Sequence, residues 1–381
     1  METNSKESKS GFAPKKILFI TPFFGRTGSE MQLFYILQNL DRQRIKPYLF
    51  SRNNGALIKE LSGGISSFVG YKQHPNFLYK IFRLMLYAVN INPVEFQLRL
   101  LQKKLKADCW YINTIANRDA FSVAKKLGIN VISHVHELPL SYSLVKSRTI
   151  KNMLNSGMCI GCSEIVCEKL EDMGHKNVHL LYGFVDDKKI NLIENSDIIK
   201  LQFAIKADDF VWVISGNTST IKGIDFLIPL IKELKHNHKI IWIGEVENNG
   251  TMCYAEESVK ANFADRVFFT GKKTTDYYDY FNIGHAYLSL SREDSFPLVM
   301  IEAAHLGKPI AGFNSGGIKE FVKQNIGIVV DQLNFKTLAT AMEQIEANYA
   351  IYDQDKIKSY AQTFNVKVQT QKLTEILERY V

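Results

Sequence analysis

No run of about 20 uninterrupted apolar residues occurs in this sequence, so a membrane-spanning helix is not expected. The most apolar candidate, FLYKIFRLMLYAVN at 77–90, is broken by Lys80 and Arg83 and reads as an amphipathic helix. Cysteine is scarce. Cys109, Cys159, Cys162, Cys167 and Cys253 form an odd set without a regular framework, which fits a reduced cytosolic protein rather than a disulfide-stapled one. Cys159-Ile-Gly-Cys162 has the spacing of half a zinc knuckle, but no second pair completes it, so structural strand cysteines are the better reading. The opening METNSKESKSGFAPKK lacks the apolar core of a signal peptide, and residues 1–14 are expected to be a disordered polar tail. Tandem short repeats and low-complexity tracts are also missing. Acidic residues are the minority, 39 Asp and Glu against 47 Lys and Arg. The resulting formal charge of +8 favours anionic partners: phosphorylated ligands, nucleic acid or an acidic membrane surface. Nucleic acid is the weakest of these, because the chain shows neither a basic-helix module nor a platform of stacking aromatics.

What the sequence does contain is alternation. At 381 residues it is long enough for about two domains. KKILFITPFF (15–24), DCWYINT (108–114), NVISHVHE (130–137) and SGMCIGCSE (156–164) read as buried strands, each followed by a helical pattern. A polar stretch, KINLIENSD at 189–197, is the best linker. A second series follows: FVWVISGN (210–217), KIIWIGE (239–245), RVFFTG (266–271), HAYLSLS (285–291), PIAGFN (309–314) and IGIVVD (326–331). From about residue 333 the chain reads as helical and charged. The fold class expected is α/β, two Rossmann-like doubly wound domains facing a cleft, with a helical C-terminal tail. The expected division is residues 15–187, residues 188–365, and a final helix over 366–381 that packs back on the first domain. In such sheets ligands lie beyond the carboxyl ends of the strands, at helix amino ends.

That rule directs attention to SREDSFPLVMIEAAHLGKPI (291–310), which follows a strand. Pro297 suits a first helical turn, Ser295 is a plausible cap, and the amides of Leu298 and Val299 would be free to meet an anion. Glu302 lies one turn further on and shares the angular position of Leu298. A phosphate on the amides, ribose hydroxyls on Glu302 and sugar hydroxyls on Asp294 would together bind a nucleotide sugar. From spacing alone, a capped surface helix with an exposed glutamate fits equally well.

The stretch Asp294-Ser-Phe-Pro-Leu-Val-Met-Ile-Glu302-Ala-Ala resembles the acidic motif of the family-4 retaining glycosyltransferases of GT-B fold, in the subset carrying S-R-E-D-x-F-P-L-V. FNSGGIKEFV (313–322) resembles the glycine pair and glutamate that follow it in that family. SGNTSTIKGIDFL (215–227) resembles the phosphate-binding strand and lysine, NVISHVHEL (130–138) the histidine strand, and TGSE (27–30) the turn after the first strand. The likeness runs in order through nearly all of the chain from residue 15. It implies transfer of a sugar from a nucleotide-diphosphate donor to a glycan or lipid-linked acceptor, with retention and without a cofactor or essential metal. Bacterial cell-surface polysaccharide synthesis is the setting it suggests, with a cytoplasmic location.

Carried onto this sequence, the resemblance gives catalytic roles to Lys222, Asp294 and His136. Donor binding falls to Gly28, Gly216, Lys222, Asp294, Phe296, Pro297, Leu298, Val299 and Glu302. Lys222 at a strand-to-helix turn can neutralise a departing diphosphate. Gly28 permits close approach of the first-strand loop, and Glu30 favours the amino end of the next helix. His134 and His136 share a strand face, but no third ligand has matching spacing, so His134 reads as a core residue. Asp353-Gln354-Asp355 imitates a metal-binding D-x-D but falls in the tail and reads as a helix start. Thr27 stands where a glycine is usual and needs a negative φ. The segment from Tyr71 to Lys106 is aromatic and basic; an anionic membrane surface and a solvated face over buried helices are equally open. The rival reading of the whole chain is a catalytically silent GT-B subunit or sugar-nucleotide-binding protein.

Overall fold

A computed structural model describes residues 13–193 and 196–380. The expected tail, apart from its last two residues, and the middle of the expected linker therefore lie outside the described residues. Among the described residues the chain builds two parallel sheets. The first has the order β3-β2-β1-β4-β5-β6-β7. Its strands are β1 (Lys15–Thr21), β2 (Ile45–Ser51), β3 (Ser66–Val69), β4 (Cys109–Asn113), β5 (Val131–Val135), β6 (Met158–Gly161) and β7 (Val178–Leu180). The second has the order β10-β9-β8-β11-β12-β13, from β8 (Phe210–Ser215), β9 (His238–Ile243), β10 (Val267–Gly271), β11 (Ala286–Ser289), β12 (Ile310–Phe313) and β13 (Gly327–Val330). This is the two-domain Rossmann-like architecture expected, with the helical tail.

The strands form where the apolar runs have no helical period. β4 (CWYIN) and β8 (FVWVIS) are buried at every position, as parallel strands covered by helices on both faces must be. Ten of the thirteen strands are marked in the sequence, and the missing three have physical reasons. β3 and β7 are four and three residues long and lie at opposite edges of the sheet. β2 contains Pro47, a residue that argues against a strand. β3 pairs with β2 only from Tyr48 onward, so Pro47 lies where β2 has a single neighbour.

Strand order decides where a ligand can enter. In the first sheet the winding reverses between β1 and β4, and in the second between β8 and β11. The crevices at these reversals are bounded by the loops after those four strands. α1 (Gly28–Asn39) begins at the first reversal and packs against the last helix, Val366–Tyr380. Leu373 and Leu377 of that helix are buried in the same cluster as Ile17 and Phe19 of β1.

Candidate active site

The second sheet builds one wall. After β8, Gly216 turns the chain at φ 142°, and its α-hydrogen side is packed by the stem of Lys222. Gly223, at φ 81°, caps the helix Ile224–Glu233; a side chain there would stand 2.1 Å from the Leu290 carbonyl oxygen. Glycine is thus what lets the lysine loop lie against the end of β11. Arg292 locks the two loops together. Its amide donates to the Ile221 carbonyl at 2.9 Å. Its guanidinium bonds the Thr220 carbonyl and the Asp225 carboxylate and lies 3.8 Å over the Phe226 ring. That hydrogen bond holds the Asp225 carboxyl below its usual range. The result is Lys222 Nζ placed 2.6 Å from Asp294 Oδ2. Asp294 is also held through its backbone, donating to Ser315 and accepting from Gly317.

Next to this pair the helix Leu298–His305 begins one residue later than expected. Pro297 occupies the capping position rather than the first turn, and Ser295 does not cap. Among the described residues the Leu298 and Val299 amides donate to nothing, as first-turn amides without a side-chain cap must. The Phe296 ring is buried between Tyr182, Phe321 and Phe364. It anchors the helix start rather than lining an open surface. Glu302 is half-buried and accepts from the hydroxyls of Tyr277 and Tyr278, both at 3.1 Å. Burial pushes its carboxyl up to about 7, against the opposing pull of those two donors. Tyr277 in turn bonds Ser215 at the end of β8, so Glu302 is tied to the same strand end as Lys222.

The first sheet builds the facing wall. Thr27 has φ −82°, which removes the difficulty of a non-glycine there, and Glu30 reaches back to accept from its amide at 3.0 Å. The role of Glu30 is that of a capping box. Gly28 opens α1; a side chain built on it would meet only Leu298, at 4.0 Å across the cleft. His136 Nε2 lies 2.9 Å from Asn113 Oδ1, and Asn113 Nδ2 donates to Ser29 at the start of α1. With Nε2–H assigned as the donor, Nδ1 is left as an acceptor. Burial pushes the His136 imidazole down to about 3. His134 is a core residue as expected, fully buried with Nδ1 2.6 Å from the Tyr111 hydroxyl.

Three residues here are missed by sequence reasoning. Glu137 accepts from the amides of Ile115 and His136, at 3.0 and 2.9 Å, tying together the ends of β4 and β5. Burial raises its carboxyl to about 7. Beside it Thr114 has φ 71°, a left-handed conformation that costs a β-branched residue of order 1–3 kcal/mol. Tyr277 and Tyr278 are the other two, and no spacing signal links them to Glu302.

The walls meet at a cavity of about 190 Å³. His136, Leu138, Leu140 and Ser141 line it from one side, and Ile221, Lys222, Glu293, Asp294 and Ser295 from the other. His136, Lys222 and Asp294 are therefore brought together. Glu302 and Gly28 lie outside this cavity, the glutamate at the tyrosine pair and the glycine opposite Leu298. Two carboxylates of the second half close the contact. Glu293 accepts from the Leu140 amide at 3.2 Å, and Glu320 accepts from the Glu164 and Ile165 amides at 2.6 and 3.0 Å. Glu320 thereby caps the helix Glu164–Asp172, whose own N-cap residue Ser163 makes no side-chain cap bond. Asp353 accepts from the amides of Asp355 and Lys356, so the D-x-D stretch is a helix start. Among the described residues no three His, Cys, Asp or Glu side chains are grouped to hold a metal.

Residues 195–364 match the family of group 1 glycosyl transferases. An uncharacterized glycosyltransferase of Haemophilus influenzae is 25% identical over 73% of this chain and 80% of its own length. Among solved structures, Anabaena Alr3699/HepE in complex with UDP and glucose superposes with a TM-score of 0.78 at 19% identity, over 96% of this chain and all of that one. The lipopolysaccharide outer core galactosyltransferase WaaB superposes at 0.71 and 15% identity, over 96% of this chain and all of WaaB. At these identities the two structures establish the fold, and both sheets of the present chain share it with glycosyltransferases.

Proposed function

We propose that the chain transfers a sugar, with retained anomeric configuration, from a nucleotide-diphosphate donor to a glycan or lipid-linked acceptor. The observation that carries this reading is the Lys222–Asp294 pair facing His136 at the winding reversal of the second sheet, next to two unbonded helix amides. UDP-sugars are the first donors to try, since the Anabaena relative in fold binds UDP. In this reading residues 15–187 form the acceptor side and residues 188–365 the donor side, with the final helix returned to the first. The diphosphate rests on the Leu298 and Val299 amides and on Lys222, where a helix amino end and an ammonium both favour an anion. Ionised Glu302 accepts from the ribose hydroxyls. Gly216 and Gly28 keep the approach free of side chains.

Bond breaking separates a cationic sugar from an anionic diphosphate. Lys222 is held by Asp294 before the donor arrives, so its ammonium need not be reoriented when the leaving charge develops. His136, neutral and turned by Asn113, offers Nδ1 to a sugar hydroxyl on the opposite face. Asp294 accepts from the sugar on its own side, and the two walls orient the anomeric carbon. Polysaccharide assembly at the cytoplasmic face of a bacterial membrane is the setting that fits, as WaaB works on lipopolysaccharide outer core.

Thermal-shift titration with UDP, GDP, ADP and their common sugars tests donor binding, because a ligand of the folded chain raises stability by mass action. Slow hydrolysis of the stabilising sugar nucleotide by the protein, read as release of nucleoside diphosphate, separates the enzyme from a silent binding subunit. Stabilisation without any release would favour the silent subunit, and no stabilisation by any of them would sink both readings. The anomeric configuration of the product, read by proton NMR, decides retention.

A further inference from the structure

The segment between residues 71 and 106 holds two helices of similar length that fold in opposite senses. α2 spans Phe77–Ala88 and α3 spans Pro93–Leu105. α3 buries Leu98, Leu101 and Leu105 in the core below it, as a surface helix should. α2 does not. Among its apolar side chains only Leu86 is buried, while Phe77 is 67%, Leu78 68%, Leu84 58% and Met85 60% exposed. Its inner contacts are made by a few rings: Tyr79 stacked on Tyr71, and Phe82 edge-on to Tyr71 and to Phe96 of α3.

At 100° per residue, the exposed Phe77, Ile81, Leu84 and Met85 share one side of α2, opposite Leu86. Leu78 and Val89 extend that side. Lys80 stands at its margin and Arg83 follows toward the protein. The amphipathic helix is thus turned inside out. Its apolar stripe faces away from the body of the protein, and a contiguous stripe of this kind marks an interaction surface.

Charge selects the occupant. Residues 71–106 carry seven Lys and Arg (72, 80, 83, 99, 103, 104 and 106) against the single acid Glu95, a net +6 of the chain's +8. A second copy laid on the stripe would bring two such segments together, like charge against like. An anionic lipid surface offers the complementary sign and an apolar layer beneath it. α2 is 12 residues, roughly 18 Å long by its rise per residue, and among the described residues no helix is long and apolar enough to cross a membrane.

We propose that α2 is an in-plane membrane anchor whose outward stripe of Phe77, Leu78, Ile81, Leu84, Met85 and Val89 enters one leaflet of an anionic phospholipid bilayer. Lys80 and the lysines of the α2–α3 hairpin meet the headgroups. The anchor does not depend on the transferase chemistry, and its test needs neither donor nor acceptor.

The test is vesicle flotation of the full chain, with phosphatidylglycerol–phosphatidylcholine vesicles and with pure phosphatidylcholine. The chain is expected to float with the anionic vesicles, and raised salt is expected to weaken but not abolish that binding. The double variant Leu84→Glu/Met85→Glu replaces two exposed side chains, so the fold is retained, as its melting temperature will show. It is expected to lose binding by about tenfold or more. Lys80→Glu is expected to lose it severalfold on anionic vesicles. A wild-type chain that stays at the bottom of both gradients overturns the proposal, as does a double variant that floats like wild type. So does light scattering that shows a dimer which the double variant dissolves, since a second copy would then cover the stripe.

Discussion

Across the central cavity the first sheet presents His136, with Glu137 beside it bonded to the ends of β4 and β5, and the second presents Lys222 against Asp294. Burial pushes the first two toward their neutral forms, the imidazole down to about 3 and the carboxyl up to about 7. Neither has an opposite charge in contact, and at Glu137 the desolvation cost outweighs the hydrogen bonds it accepts. The second wall carries a contact ion pair at 2.6 Å, held on a loop that Gly223 and Arg292 keep against β11. A neutral hydrogen-bonding wall can orient a sugar without competing for the charge of a diphosphate, and a charged wall can receive that diphosphate. In the reaction proposed above, that difference would give the two walls different parts of the substrate.

The largest effect should come from breaking the charged wall. Lys222→Ala is expected to lower kcat/KM by about 10- to 150-fold, the value of one hydrogen bond to a charged group. Steady-state kinetics on the donor found by thermal shift would show it, and an unchanged rate would remove Lys222 from the mechanism. Glu302→Gln should cost about tenfold, at the lower end of the same range, because one acceptor oxygen survives. It carries a sharper signature in pH. In the proposed reading donor binding needs ionised Glu302, so wild-type kcat/KM should climb between about pH 6 and pH 8, and that limb should vanish in the variant.

The neutral wall should respond differently. His136→Ala is expected to lower kcat severalfold while leaving the shape of the pH profile unchanged, because the imidazole is already uncharged throughout that range. A limb that disappears with His136 would mean the histidine titrates near neutrality, and the two walls would no longer differ in kind. The smallest effect concerns stability. A carboxyl held at about 7 when folded and near 4.5 when unfolded stabilises the fold fully below 4.5 and loses that contribution as pH rises through 7. The melting temperature should therefore fall less steeply from about pH 5 to pH 8 in Glu137→Gln than in wild type. Equal slopes would show that Glu137 is not the buried acid described above.

Much of this was legible in the chain itself, for stated reasons. Strands with a continuous apolar run, such as FVWVIS, announce themselves because a parallel strand is buried on both faces. Gly223 and Asp294 were identifiable because they sit where a strand turns into a helix. β2 was not, because its Pro47 is tolerated only by the late start of β3. Ser163 and Ser295 show the limit of local rules: both occupy plausible capping positions, yet Glu320 supplies the first cap from about 155 residues away, and Ser295 caps nothing. The hydroxyls on Glu302 come from Tyr277 and Tyr278 on another element, a pairing no local spacing encodes.

By itself, then, the sequence determined the succession of strands and helices, the turns that need glycine, and the acids and lysine at strand ends, because these depend on neighbours a few residues apart. Only the tertiary structure decided which strand ends lie side by side at the winding reversals. It likewise decided that burial neutralises one wall of the cleft while pairing charges the other, and that α2 turns its apolar stripe outward where α3 turns its own inward. Periodicity marks a stripe along a helix, but its direction depends on what the rest of the chain leaves to pack against.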